Sequence, residues 1–154
     1  MPRLQLTCLA QINNEATEIL YAQHLRFDNT AFLIDFFCSL DTALRARIQY
    51  VNVKLYQKAN ARNAFNLLSE APNLKKLKFE AGVTSETDPA KAAKTFYTEC
   101  FKFLKTIGAA KGDPPAGVDI LHFTKAAFAP KEGKNTWTDD MVAEFKEALK
   151  EKAK

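Results

Sequence analysis

The chain has 154 residues, 47% of them hydrophobic and 26% charged. That length is most simply one domain, and so much apolar material excludes a disordered chain. A net charge of +4 with pI near 8.9 is mildly basic; it allows attraction to acidic partners but falls short of the concentrated charge of dedicated nucleic-acid binders.

In chain order, Leu6, Leu9, Ile12, Ala16, Ile19 and Leu20 recur at mostly three- and four-residue intervals, with Asn13, Asn14, Glu15 and Glu18 on the other face. This spacing predicts an amphipathic first helix with those apolar residues turned inward. A short alternating strand follows at Leu25-Arg26-Phe27, and Asp28, Asn29 and Thr30 offer N-cap oxygens to the next helix. Its stripe is Leu33, Phe36, Phe37, Leu40 and Leu44, with a restart at Ser39 or Asp41. The clearest strand is Tyr50 to Tyr56, where β-branched residues alternate with polar ones. Asn60 is the expected cap of a helix that buries Ala61, Ala64, Phe65 and Leu68 and ends before Pro72. Leu74 to Phe79 reads as the third strand.

Gly82 to Thr87 reads as a loop closing at Asp88-Pro89, an N-cap followed by proline at the first helical position. The long helix after it points Ala93, Phe96, Cys100, Phe103, Leu104 and Ile107 inward. Gly108 and Gly112 mark its expected end, and Asp113 to Gly117 a breaker loop. Val118 to Thr124 is the fourth expected strand, and Phe128 to Asn135 reads as irregular. Thr138 caps the last helix with Asp139 and Asp140 in its first turn, and Trp137 and Val142 are placed to form a hydrophobic staple. Met141, Phe145, Ala148 and Leu149 face inward, while Lys150, Lys152 and Lys154 suit the helix C-terminus.

One apolar spacing recurs along this order: Ile48-x-x-Val51-x-Val53, Leu74-x-x-Leu77-x-Phe79, Val118-x-x-Leu121-x-Phe123 and, more weakly, Ala22-x-x-Leu25-x-Phe27. Its middle residues, Leu25, Val51, Leu77 and Leu121, lie 26, 26 and 44 residues apart, the last interval carrying an insertion of about 18 residues. Strands alternating with helices predict an α/β fold with a parallel sheet, and the period suggests an irregular leucine-rich-repeat-like arrangement. Such a chain is a single domain over residues 1–154, with repeat-like units in 1–130 and a C-terminal capping helix in 136–154. An ordinary open α/β sheet would space its strands similarly. The repeat's customary Asn or Cys is replaced by Thr30, Tyr56, Gly82 and Ala126, so no asparagine ladder can form.

Catalytic and metal-binding patterns are missing. There is no glycine-rich phosphate loop, no C-x-x-C pair and no H-E-x-x-H. His24 and His122 are nearly a hundred residues apart, and structural zinc uses close-spaced ligand pairs. Cys8, Cys38 and Cys100 sit among apolar neighbours, as small hydrophobes do. A Cys100–His122 nucleophile pair is disfavoured by the apolar face on which Cys100 lies. Neither enzymatic activity, metal nor cofactor is expected. No stretch reads as a signal peptide or membrane span, so the expected protein is soluble and intracellular, nuclear or cytoplasmic.

If the repeated apolar residues point into the core, their neighbours point outward along each strand. The rows are His24, Arg26 and Asp28; Tyr50, Asn52 and Lys54; Lys76, Lys78 and Glu80; and Ile120, His122 and Thr124. The expected function is that of a non-catalytic scaffold or interaction module. It would bind a protein partner, with an acidic surface, through Arg26, Tyr50, Asn52, Lys76, Lys78 and His122. Nucleic-acid or chromatin binding is the alternative, suggested by Lys75-Lys76-x-Lys78 and distinguished by steep salt dependence.

At Gln11-Ile12-x-x-Glu15-Ala16-x-x-x-Leu20-Tyr21, followed by Leu25-x-Phe27-Asp28, the chain resembles a large fungal group carrying an F-box-like or uncharacterised domain. Ala71-Pro72-Asn73-Leu74-Lys75-Lys76-Leu77-Lys78-Phe79 is similar to the strand that follows in those proteins. Cys8 to Gln11 lacks the family's arginine, and the resemblance covers about the first half of the chain. It implies core roles for Ile12, Ala16 and Leu20, with Tyr21 and Phe27 at the junction with the sheet. The F-box-like helix that often opens family members is absent, as in a fragment or a chain that has lost that module. The resemblance therefore implies fold, not a ubiquitin-ligase adaptor role.

Overall fold

Four strands, β1 (His24–Asn29), β2 (Tyr50–Leu55), β3 (Lys76–Ala81) and β4 (Leu121–Phe123), form one parallel sheet in the order β1-β2-β3-β4. The coordinates are a computed structural model that describes residues 15–128 and 137–154. A first helix, α1 (residues 15–21), precedes β1; each strand pairs with its sequence neighbour, and every crossover carries helix: α2 (Thr30–Cys38) and α3 (Thr42–Arg45), then α4 (Lys58–Leu68), then α5 (Pro89–Lys111) and α6 (Ala116–Asp119). Right-handed crossovers between sequential parallel strands return every helix to the same side of the sheet. Accordingly α2 packs on α4, α4 on α5, and α5 on the last helix, α7 (Asp139–Ala153). The result is a single α/β domain with helices over one sheet face.

Local chemistry fixes the helix starts. Asn29, Asp41, Asp88 and Thr138 each accept a backbone N–H of the helix they precede, and Pro89 takes the first position of α5. Gly112 ends α5 in the left-handed conformation, at φ 72°. The restart expected near Asp41 is therefore real. Asn60 is not a cap; α4 begins two residues earlier, and the Asn60 side chain instead joins Thr30 and Gln57 in a polar cluster. The hydroxyl of Thr30 also accepts the Gln57 backbone N–H at 3.3 Å. A side-chain contact between β1's end and α4 thus stands where a repeat asparagine is missing.

The core lies between sheet and helices. Ile48, Leu74 and Val118, the leading residues of three repeated motifs, are fully buried, as are Val53, Leu77 and Leu121. Phe65, Phe79, Phe96, Phe103 and Phe145 interlock at ring-centroid distances of 5.4–6.4 Å. Aromatic pairs at such distances add to the roughly 1.5–3 kcal/mol that each buried side chain contributes by leaving water. The inward face of α5 is as expected: Ala93, Phe96, Cys100, Phe103, Leu104 and Ile107 are all buried. Trp137 stacks on Phe128 at 4.3 Å and donates from Nε1 to the Glu86 carbonyl at 3.0 Å, tying the start of α7 to the loop after β3. Its ring also meets Phe145 edge-on, about two turns into α7.

Several expectations are corrected. Residues 15–21 are helical, but Ile19 and Leu20 are exposed and Tyr21 is the buried side chain of that turn. These residues precede an edge strand, and no other described element covers their apolar face. Ala22 is likewise exposed, which explains why the first motif is the weak one. Leu6, Leu9, Ile12 and Cys8 lie outside the described residues, as does most of the irregular stretch up to Asn135. Cys38 is exposed, because it closes α2 one position beyond the inward-facing Phe37; of the two described cysteines, Cys100 alone behaves as a buried hydrophobe. The third strand runs from Lys76 to Ala81. The fourth is shorter than expected: residues Ala116–Asp119 form helix α6, and β4 begins only at Leu121.

Candidate functional site

Helices on one side leave the other side of the sheet uncovered by any described helix. The alternation of each strand sends Leu25, Phe27, Val51, Val53, Leu77 and Phe79 toward the helices and their neighbours to the opposite face. The register then aligns those neighbours. Arg26 pairs with Asn52, Asn52 with Lys78, and Lys78 with His122, while His24, Tyr50 and Lys76 form the adjoining row. All six expected site residues, Arg26, Tyr50, Asn52, Lys76, Lys78 and His122, therefore share one surface. Ile120 does not join them. It is the C-cap of α6, 6% exposed, and faces the core. Thr124 is half-buried and donates its hydroxyl to the Glu80 carbonyl at 2.6 Å.

The surface divides into two halves. On the β1–β2 side, His24 stacks on Tyr50 with ring centroids 4.5 Å apart and planes within 15°. Beside this pair, Glu80 accepts from Arg26 at 3.3 Å and from the Asn52 side-chain amide at 2.9 Å. The Asn52 hydrogen bond, then Arg26 and Lys78, hold the Glu80 carboxyl below its ordinary value. Arg26 is thus partly neutralised by a residue two strands away and 54 residues on in sequence, which the alternation of β3 puts on this surface but which is not among the expected site residues. His24 was overlooked in the same way. Its stacking on Tyr50 follows from strand register, and the 26-residue spacing between the two is the signal that could have found it.

The β3–β4 side is cationic. Lys76 and Lys78 flank His122, and Lys146 of α7 reaches the same corner. Burial, followed by repulsion from Lys146, Lys76 and Lys78, pushes the His122 imidazole below its ordinary value. Lys146 is itself lowered, by burial first and then by Lys150, with Asp119 and Glu147 opposing. No ion pair among the described residues engages Lys76 or Lys78.

No protein-family model matches the chain, and no characterised protein or solved structure is significantly similar to it. Function must therefore be argued from chemistry.

Cys100 and His122 do not form a nucleophile pair. Cys100 is buried on the helical side, where burial raises its thiol well above the ordinary value, and His122 stands on the opposite face. Among the described residues no cluster of three or more His, Cys, Asp or Glu could hold a metal. No described helix is long and apolar enough to cross a membrane. The open face presents cations beside a stacked aromatic pair, and among the described residues it carries no converging acid, base and nucleophile.

Proposed function

We propose that this chain is a non-catalytic protein-interaction module that holds an acidic partner against the open face of its sheet. The carrying observation is the pairing of an aromatic stack, His24–Tyr50, with two neighbouring cations of β3, Lys76 and Lys78, that have no ion-pair partner among the described residues, on a face no described helix covers. Aromatic anchors supply contact area, and cations beside them select the sign of the partner's charge. The sequential strand order and the recurring 26-residue period support a finer reading as irregular leucine-rich-repeat-like units, akin to the fungal F-box-like group. In stacked repeats, the strand face is where recognition occurs.

The test is capture of binding proteins by the wild-type chain and by a variant carrying Arg26→Ala, Tyr50→Ala and Lys78→Ala, both after nuclease treatment. A partner retained by the wild type and lost by the folded variant is the expected result. Equal retention would show that binding, if any, uses another surface. Because Glu80 already engages Arg26, single replacements of Tyr50 and Lys78 should weaken binding more than that of Arg26. The cationic corner formed by Lys76, Lys78, His122 and Lys146 keeps nucleic acid as the second reading. That reading predicts that binding disappears with nuclease and falls steeply with salt, with a log–log slope set by the phosphates neutralised.

A further inference from the structure

A second feature lies at the other end of the strands, away from the open face. A cleft of about 490 Å³ opens at the carboxyl ends of β2 and β3, against α5. We propose that this cleft binds an uncharged, polyhydroxylated small molecule of monosaccharide size. Its position is the first reason: it is walled by the segments that leave the carboxyl ends of β2 and β3, and loops held by a rigid scaffold are where binding residues concentrate. Its volume falls within the range of small-molecule sites.

The cleft is also pre-formed. Gly82 turns the chain out of β3 at φ 81°, and a Cβ there would lie 2.8 Å from the Tyr56 carbonyl oxygen, so only glycine allows this approach. The loop beyond is pinned where Val83 N–H donates to the Ala127 carbonyl at 2.9 Å and Trp137 Nε1 donates to Glu86. A fixed wall spares the ligand the cost of ordering it.

The lining chemistry selects the ligand class. Glu99 accepts the Tyr56 hydroxyl, yet a carboxylate offers about four acceptor sites, which leaves capacity for a ligand's hydroxyls. Lys58 donates, and Thr84, Ser85 and Thr95 can each donate or accept. Leu55, 44% exposed, gives an apolar patch for the C–H face of a ring. Charge argues against ionic ligands. Lys58 and Arg62 both act favourably on the Glu99 carboxylate, so its charge is already offset. A polyamine would meet Lys58, and a phosphate would meet Glu99. Burial raises the Glu99 carboxyl above its ordinary value, so binding that uses the carboxylate should weaken as pH falls through that raised value.

The test is amide NMR titration of the full chain with D-glucose and D-ribose, alongside putrescine and inorganic phosphate as charged counterparts. At least one sugar should produce saturable shifts at Thr84, Ser85 and Thr95, with a dissociation constant on the order of 1–10 mM that is insensitive to salt. Glu99→Gln should weaken that binding at least about tenfold while preserving the spectrum, and Lys58→Met should weaken it independently. The open-face variant Tyr50→Ala, Lys78→Ala should bind sugar like the wild type, so this site stands or falls separately from the partner surface. The proposal is overturned if no sugar saturates these shifts up to about 100 mM, if only putrescine or phosphate does, or if both Glu99→Gln and Lys58→Met bind like the wild type.

Discussion

His122 shows how much of the open face turns on single residues. Burial and the three lysines Lys146, Lys76 and Lys78 all disfavour its protonated form. A base whose folded value is lowered contributes stability that is intact above its ordinary 6.5 and is lost as pH falls through the lowered folded value. Wild-type protein should therefore lose more stability than His122→Gln between about pH 8 and about pH 5, read as the shift in urea midpoint. Equal losses would mean that neither burial nor the lysines lowers this ring's value. An acidic partner bound across Lys76 and Lys78 reverses the sign of the local field, so the His122 value measured by NMR should rise on binding. At this scale the sequence was a fair guide to direction but not to pairing. Alternation alone put Arg26, Asn52, Lys78 and His122 on one face. It could not show that Glu80 takes hydrogen bonds from both Arg26 and Asn52, because that depends on side-chain conformations two strands apart.

Among the elements, α5 and its junction with α6 show where sequence punctuation misleads. Gly108 reads as a helix end, yet α5 continues to Lys111 and Gly112 is its left-handed cap. Gly108 is there for proximity: a Cβ would lie 2.6 Å from the Pro114 carbonyl oxygen, as the chain folds back over α5. Gly117 in α6 approaches Leu104 in the same corner, with a Cβ that would lie 3.0 Å from the Leu104 carbonyl oxygen. This packing of α6 against α5 draws residues 116–119 into a helix and shortens the strand that the apolar spacing suggested. The first contact closes over six residues and the second over 13, so a rule that reads a glycine or proline from its immediate neighbours could not register them. Gly108→Ala gains helix propensity but must displace backbone, and overpacking of this kind costs about 1–3 kcal/mol. The variant should unfold at lower denaturant with an unchanged slope. A stability equal to or above wild type would show that the Pro114 turn yields freely.

For the whole molecule, the recurring period is informative because it fixes register as well as topology. Leu25, Val51, Leu77 and Leu121 were aligned by spacing alone, and they are the residues paired across the four strands. The longer final interval did not disturb this, because its additional residues lie in α5, α6 and the turn between them, on the helical side. The spacing could not reveal how unevenly the sheet is supported. β2 and β3 are hydrogen-bonded on both edges and carry the deeply buried Val51, Val53, Leu77 and Phe79, whereas β1 holds the half-buried Leu25 and Phe27, and β4 has three residues. Local opening follows burial and pairing, so the two central strands should open only when the whole domain unfolds. In native-state hydrogen exchange, the amides of Val51, Val53, Leu77 and Phe79 are expected to exchange slowest, at the free energy of global unfolding. Those of β1 and of residues 15–21 should exchange through smaller openings, insensitive to low denaturant. The opposite ranking, with β1 outlasting β2, would place the stable centre on the first edge and undo the distinction between core strands and edge. Because Tyr50, Asn52, Lys76 and Lys78 all project from the two central strands, most of the proposed partner surface stands on the part of the fold expected to move least.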